Sequence, residues 1–268
     1  MDNWRIGAVS YLNTRPLIHN LQVLAPEANL VLDLPSRLAD QLARGDLDVA
    51  LIPSIEVFQH PDYTVVSDAC IACCGPVWSV KLMSRVPLPD VGTLALDEGS
   101  RTSIALIRLL MEKHVGTSPT FIPLDIDDDW TAVNSDAVLI IGDRAMHPGC
   151  ADTFPIQMDL GQWWFDWTGL PFVFAMWTAR PGMTAAEMSR LDRILSASRD
   201  AGLESAEPLA ATCAIEYGLS NGQCREYFQK YLHFRLGPDE RKGLEHFRQM
   251  AFDMNMAPTS RELQFHDC

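Results

Sequence analysis

The sequence predicts an α/β protein of two lobes, the second inserted into the first, with a helical carboxyl-terminal segment. Three observations lead there. Between residues 30 and 59 short apolar runs alternate with helical stretches, the strand, helix, strand rhythm of a sheet with parallel members. A second strand series opens after Pro87-Leu-Pro89, and Phe172–Thr178 is apolar enough to be a buried strand returning to the first lobe. From about Ala185 to Met254 the pattern is that of consecutive helices.

Ile6–Val9 reads as a buried strand and Ser10–Thr14 as a polar turn. Pro16 sits where a first helical turn tolerates a residue with no backbone N–H. Leu30–Asp33 is the next strand. Ser36 is an N-cap ahead of a helix with Leu38, Ala39, Leu42 and Ala43 on one face, and Gly45 ends it. Asp48–Ile52 is a buried strand running into Pro53-Ser54 and a short helix, Ile55–Gln59. Val65–Ser67 and Val77–Met83 are further strands. The second series gives a strand at Thr93–Leu96, a helix at Arg101–His114 and strands at Thr120–Pro123 and Ala137–Ile141. Phe154–Gln157 leads to a helix over Leu160–Thr168, closed by Gly169, Leu170 and Pro171. Trp163 and Trp167 share a face of that helix, as hinge packing rather than a stacking platform. The last helices break near Glu207-Pro208, Gly218–Gly222 and Gly237-Pro238, and Met188, Leu191, Ile194 and Leu195 form an apolar face. Lobe I is then residues 1–82 with 178–268, and lobe II is 83–177. The two crossings make a hinge, with a cleft for a small ligand between the lobes.

Composition bounds the partners. The 268 residues are 47% hydrophobic with a mean hydropathy near zero, ordinary for a globular protein. A formal net charge of −14 repels phosphate backbones, so neither nucleic acid nor a membrane surface is an expected partner. No apolar run approaches the roughly 20 residues of a membrane span. The amino terminus lacks the blocks of a secretory signal, so a cytoplasmic address is expected. A small anionic ligand has to be met by local donors such as helix N-termini rather than by the overall field. Nothing in the pattern specifies an oligomeric state. The seven cysteines are expected as free thiols. Cys70-x-x-Cys73-Cys74 has no second pair at ligand spacing, so it reads as core and no metal site is expected. His19 and His147 follow turns but have no nucleophile partner in a recognisable motif.

Candidate functional residues gather at strand ends and helix starts. Ser10, Tyr11, Asn13, Thr14 and Arg15 cluster at the carboxyl end of a strand, where ligands bind in open α/β sheets. Asn13 can donate and accept but does not titrate near neutrality, so it can position a substrate and cannot be a general base; stabilising the turn is its alternative role. Asp97–Ser103 precedes a long helix and offers unpaired N–H groups beside the hydroxyls of Ser100, Thr102 and Ser103, which suits a carboxylate or phosphate. Capping by Ser100 alone is the alternative there, and no P-loop ending is present. Ser79 falls in a strand near the hinge, either lining the cleft or making an inter-strand bond. Ile141-Gly142-Asp143-Arg144 ends a buried strand at a helix start, where Asp143 either faces the cleft or caps. Ser54 and Arg101 complete the substrate-binding set.

Ser10-Tyr-Leu-Asn-Thr-Arg-Pro-Leu17, Gly75-Pro-Val-x-Ser-Val80, Leu96-Asp-x-x-Ser-Arg-Thr-Ser103, Leu139-Ile-Ile-Gly-Asp143 and Asp159-Leu-Gly with Trp167-Thr-Gly-Leu-Pro-Phe172 occur in order through the first two thirds of the chain. In these strings it resembles the chorismate dehydratases of the futalosine pathway of menaquinone biosynthesis. The resemblance implies a type II periplasmic-binding-protein fold turned to catalysis and a cofactor-free lyase. Chorismate would lose a proton from C3 and the hydroxyl from C4, giving 3-[(1-carboxyvinyl)oxy]benzoate. It implies that Asn13 is an active-site residue and that Ser79 and the turn Ser100–Ser103 line the pocket. No general base stands out in the matched strings. The substrate's own enolpyruvyl carboxylate is therefore the expected base, with Asn13 and Ser79 orienting it and Asp143 as the alternative. Two other readings share the fold: the pathway's later 1,4-dihydroxy-6-naphthoate synthase, and a non-catalytic cytoplasmic solute-binding or sensor protein.

Overall fold

Strands β1 (Arg5–Val9), β2 (Asn29–Asp33) and β3 (Val49–Pro53) lie parallel, β1 in the middle. Ile6 to Val9 and all of β3 are buried, as strands covered on both faces require. The computed structural model describes residues 3–146, 153–258 and 262–266. A 3-10 turn at Leu12–Thr14 and the single-turn helix α1 (Leu21–Leu24) lead from β1 to β2. Helix α2 (Pro35–Ala43) crosses from β2 to β3, and α3 (Ser54–Gln59) follows. The long strand β4 (Thr64–Cys73) ends the first pass.

The chain then builds β5 (Val80–Ser84), β6 (Thr93–Asp97), helix α4 (Arg101–Leu109), β7 (Thr120–Leu124), β8 (Ala137–Ile141) and β9 (Ile156–Asp159). These strands form a five-stranded sheet of order β7-β6-β8-β5-β9, with β6 parallel to β7 and β8 and β5 antiparallel to both neighbours. Helix α5 (Leu160–Thr168) leads back to β10 (Phe172–Ala179). Next come α6 (Ala185–Glu204), α7 (Ala206–Tyr217), α8 (Asn221–Glu226), β11 (His233–Arg235), α9 (Pro238–Asp253) and β12 (Gln264–Phe265). The seven-stranded sheet has the order β11-β4-β10-β3-β1-β2, with β12 also on β4. β10 is antiparallel to both β3 and β4 and so stitches the return segment between the earliest strands.

Several local expectations change. Pro16 starts no helix, because Asn20 takes a left-handed φ of 60° and only the one turn of α1 follows. Ser36 does not cap α2: Pro35 takes the first helical position, and the Ser36 amide donates to the Gly99 carbonyl at 3.2 Å, toward the second sheet. The segment expected as Val65–Ser67 runs on through Cys73. Cys70 and Cys73 are buried free thiols as expected, while Cys74 is exposed. The strand expected from Val77 begins only at Val80, because Trp78 adopts φ 66° and cannot join a ladder. The expected helix to His114 is there, but its last part, Leu110–Val115, is a π turn ended by Gly116. The helix break lies at Ser205, so Pro208 falls within the first turn of α7, where no N–H is needed. The short strands β11 and β12 carried no pattern long enough to read. His147 lies outside the described residues. Trp163 donates its indole N–H to His114 Nδ1 at 2.7 Å, and Trp167 stacks on the same imidazole, so both pack α5 against the end of α4.

At the far end of the seven-stranded sheet Asp48 joins three segments. Arg5 donates to it from its backbone and side chain at 2.8 to 3.1 Å, and Arg180 Nε donates at 3.0 Å. Burial works against the Asp48 charge, yet these hydrogen bonds prevail and hold its pKa at about 2, below the usual carboxylate range. A depressed carboxylate stabilises the fold above its unfolded pKa and loses that contribution as pH falls through its folded value. Asp48→Asn is expected to cost about 1–2 kcal/mol at pH 7, discounted for the exposure of the arginines. Thermal melts should show the gap to the wild type narrowing between about pH 4 and pH 2.

Candidate active site

Val9, Pro53 and Ile141 bring the carboxyl ends of β1, β3 and β8 to one cleft, so the site draws on both sheets. Tyr11, Asn13, Ser79, Ser100, Ser103 and Gly142 line the same cleft, against an apolar wall that includes Ile71, Val77, Val80 and Phe174. The cavity is about 40 Å³. That is room for about three waters. Among the described residues none of its lining side chains is charged.

Tyr11 is seated in a slot made by two glycines. A Cβ on Gly142, whose φ is +66°, would lie 2.8 Å from the Tyr11 ring, and one on Gly99 would lie 3.0 Å from the Tyr11 hydroxyl. That hydroxyl is buried and has no hydrogen-bond partner among the described residues. Burial, with the Asp97 and Asp143 carboxylates nearby, raises its pKa, so it stays a neutral donor. A buried donor left open at a cleft is a place for a ligand acceptor.

One buried carboxylate braces the floor. Asp97 is fully buried and accepts from Gly99 N at 2.9 Å, Ile141 N at 3.3 Å and Arg144 Nη2 at 2.6 Å. Burial raises its pKa and Arg144 opposes that rise. Above it Ser100 accepts from Ser103 N at 3.3 Å, capping α4, and its hydroxyl lies 3.1 Å from that of Ser103. Capping and cleft lining are thus one arrangement: the cap fixes both hydroxyls beside the positive end of the helix dipole.

Ser79 is not in a strand but in the tight loop ahead of β5. Asp159 clamps that loop, accepting from Val77 N at 2.9 Å and Trp78 N at 2.6 Å while capping α5 through Gln162 N at 3.0 Å. The Ser79 carbonyl accepts from Gly142 N at 2.9 Å, and its hydroxyl accepts from the Tyr227 hydroxyl at 2.7 Å. Sequence reasoning missed Asp97, Asp159 and Tyr227. The first two stood inside quoted strings and were passed over. Tyr227 lies among helices that gave no functional signal.

Ser54, Arg101, Thr102 and Asp143 lie outside the cleft lining, as do Ser10, Thr14 and Arg15, whose guanidinium is taken by Tyr217 and Glu216. Ser54 and Thr102 are fully buried; Ser54 donates to the Val173 carbonyl at 2.8 Å, and Thr102 accepts from Ile55 N at 3.3 Å, joining α4 to α3. Arg101 pairs with Asp40 at 2.8 Å and Glu56 at 3.2 Å, bridging the two sheets' helices. Asp143 accepts from Leu12 N at 3.0 Å, which ties the β8 end to the turn after β1.

Comparisons with known proteins give the same class from two directions. Protein AF1704 from Archaeoglobus fulgidus superposes with a TM-score of 0.76 at 15% identity, covering 94% of this chain and 98% of that one. The periplasmic aliphatic sulphonate binding protein SsuA of Escherichia coli gives 0.65 at 16% identity, over 98% and 91%. The Candida albicans CA3427 gene product, described as having the generic periplasmic binding protein fold, gives 0.60 at 10% identity, over 98% of each chain. The fold is that of the periplasmic binding proteins. Residues 4–253 match the family described as menaquinone biosynthesis, and the chain belongs to that family. A protein named chorismate dehydratase from Thermus thermophilus is 30% identical over 96% of this chain and 98% of its own length. No helix among the described residues is long and apolar enough to cross a membrane.

Gly142→Ala tests the Tyr11 slot. The added methyl meets the ring and the residue keeps a left-handed φ, so the variant is expected to lose about 1–3 kcal/mol of stability. Differential scanning calorimetry reads that loss, and an unchanged melting temperature would contradict the slot.

Proposed function

We propose that this protein dehydrates chorismate to 3-[(1-carboxyvinyl)oxy]benzoate, with Asn13 and Ser79 as its catalytic residues. The observation that carries the reading is the meeting of Asn13, Ser79, Tyr11 and the Ser100–Ser103 helix start at one uncharged cleft, in a relative of a chorismate dehydratase. Chorismate is a dianion. The α4 N-terminus and its hydroxyls suit one carboxylate, and neutral donors bind it without a cation that would pair with the enolpyruvyl carboxylate and blunt its basicity. That carboxylate takes the C3 proton, the C3–H electron pair closes the third ring double bond, and the C4 hydroxyl departs, so that proton and hydroxyl leave as water. Aromatisation drives the step, so the protein's task is to orient the substrate and exclude competing rearrangements. No cofactor is required by this chemistry.

Asp143 is the second choice for the base. Its carboxylate already accepts the Leu12 amide, which favours the substrate carboxylate. We take the two sheets as the two lobes, with crossings at residues 74–79 and 169–171, a few residues ahead of the 83 and 178 read from sequence. Ser36 to Gly99, Leu12 to Asp143 and Arg101 to Asp40 and Glu56 all link the two sides. Loosening these links would widen the cleft for substrate entry. A cytoplasmic address fits small-molecule biosynthesis.

The test is incubation of purified protein with chorismate, without added metal or cofactor, followed by liquid chromatography and mass spectrometry. An aromatic product lighter by one water supports the reading. Saturable binding with intact chorismate would favour a sensor, and no binding would turn attention to the later pathway substrate. Asn13→Ala is expected to lower kcat by about 100-fold with little change in KM. Unchanged turnover would remove Asn13 from the mechanism. Asp143→Asn keeps an acceptor for Leu12 and is expected to retain most turnover; lost turnover with intact binding would assign the proton to Asp143.

A further inference from the structure

We propose that Tyr227, from the carboxyl-terminal helices, is a positioning residue that fixes the Ser79 hydroxyl as a hydrogen-bond donor into the cleft. The inference rests on the dehydratase reading for its effect on turnover, but its geometry stands apart from it. Tyr227 follows α8 at the start of a π turn, Tyr227–Tyr231, a distortion that turns a side chain off the regular helical face. It is fully buried, and its hydroxyl donates to Ser79 Oγ at 2.7 Å. Trp78, the left-handed residue just before Ser79, packs edge-on against the Tyr227 ring at 5.5 Å. The same contact therefore seats both the loop and the hydroxyl.

The direction of the bond carries the consequence. A hydroxyl has one proton to give, and a tyrosine whose pKa burial raises further keeps that proton at every ordinary pH. In the structure that proton goes to Ser79 Oγ at 2.7 Å, so Ser79 receives and its own proton must go elsewhere. Among the described residues its protein acceptor is the Val77 carbonyl at 3.5 Å, at the edge of a real bond. A ligand carboxylate or departing hydroxyl oxygen in the cleft is the better acceptor. Asn13 lines the same cleft, and its Oδ1 accepts from Thr14 Oγ1 at 3.2 Å. Without the Tyr227 hydroxyl, Ser79 is free to rotate and the preorganised donor is lost.

Tyr227→Phe removes one oxygen and keeps the ring against Trp78. Turnover of chorismate is expected to fall about tenfold with KM nearly unchanged and the melting temperature close to that of the wild type. Ser79→Ala should fall at least as far, and the double variant should be no slower than Ser79→Ala alone. Wild-type turnover in Tyr227→Phe, or effects that multiply in the double variant, would overturn the proposal. A second readout needs no substrate. The Tyr227 hydroxyl proton should be visible by NMR in slow exchange, near the Ser79 β protons, absent in Tyr227→Phe and shifted in Ser79→Ala. Its absence in the wild type would overturn the contact. If the wild type left chorismate intact, the substrate reading would fall while this resonance still decided whether Tyr227 holds Ser79.

Discussion

The buried Asp97 carboxylate holds together the three segments that form the floor of the cleft. It takes the Gly99 amide from the loop before α4, the Ile141 amide from the end of β8, and the Arg144 guanidinium from the turn after it. Burying a carboxylate is costly unless partners replace its water, and here four donor atoms do so, with Arg144 Nε at 3.1 Å as the fourth. Because the loop and the β8 end are fixed relative to one another, Gly99 and Gly142 form a slot of set width. Tyr11 fills that slot from the other sheet, and the cleft geometry follows.

Charge is kept one layer behind the surface that a ligand would touch. Asp97 with Arg144, Asp143 on the Leu12 amide, Asp159 on the Val77 and Trp78 amides, and Arg101 between Asp40 and Glu56 all orient backbone or brace the two sides. What reaches the cleft is neutral: hydroxyls, an amide and a helix start against apolar walls. Such a surface can bind an anion while leaving the anion's own basicity available. A substrate that carries its own base needs orientation more than it needs a titrating side chain.

Much of this was legible in the sequence where a local rule applies. The strand ends at Val9 and Ile141, the Ser100 cap and the helix stop at Gly169 each depend on a few neighbouring residues, and each is found. The cluster of Tyr11, Asn13, Ser79, Ser100, Ser103 and Gly142 followed from strings that sit at such ends. What was not legible depends on contacts distant in sequence. Ser36 loses its capping role because Gly99 takes its amide from another sheet. Arg101 turns from the cleft because Asp40 and Glu56 wait on α2 and α3. The turn at Trp78 needs Asp159, eighty-one positions away, to hold its amide. Tyr227 reaches Ser79 across 148 positions, and no pattern within its own helix announces that.

The central claim is an elimination across C3 and C4 in which the proton at C3 is lost to solvent. Chorismate carrying deuterium at C3 tests it in a single turnover assay read by mass spectrometry. The account predicts an aromatic product free of deuterium, formed more slowly than from unlabelled chorismate if proton transfer limits the rate. A product that retains the label, or chorismate recovered unchanged, would contradict it.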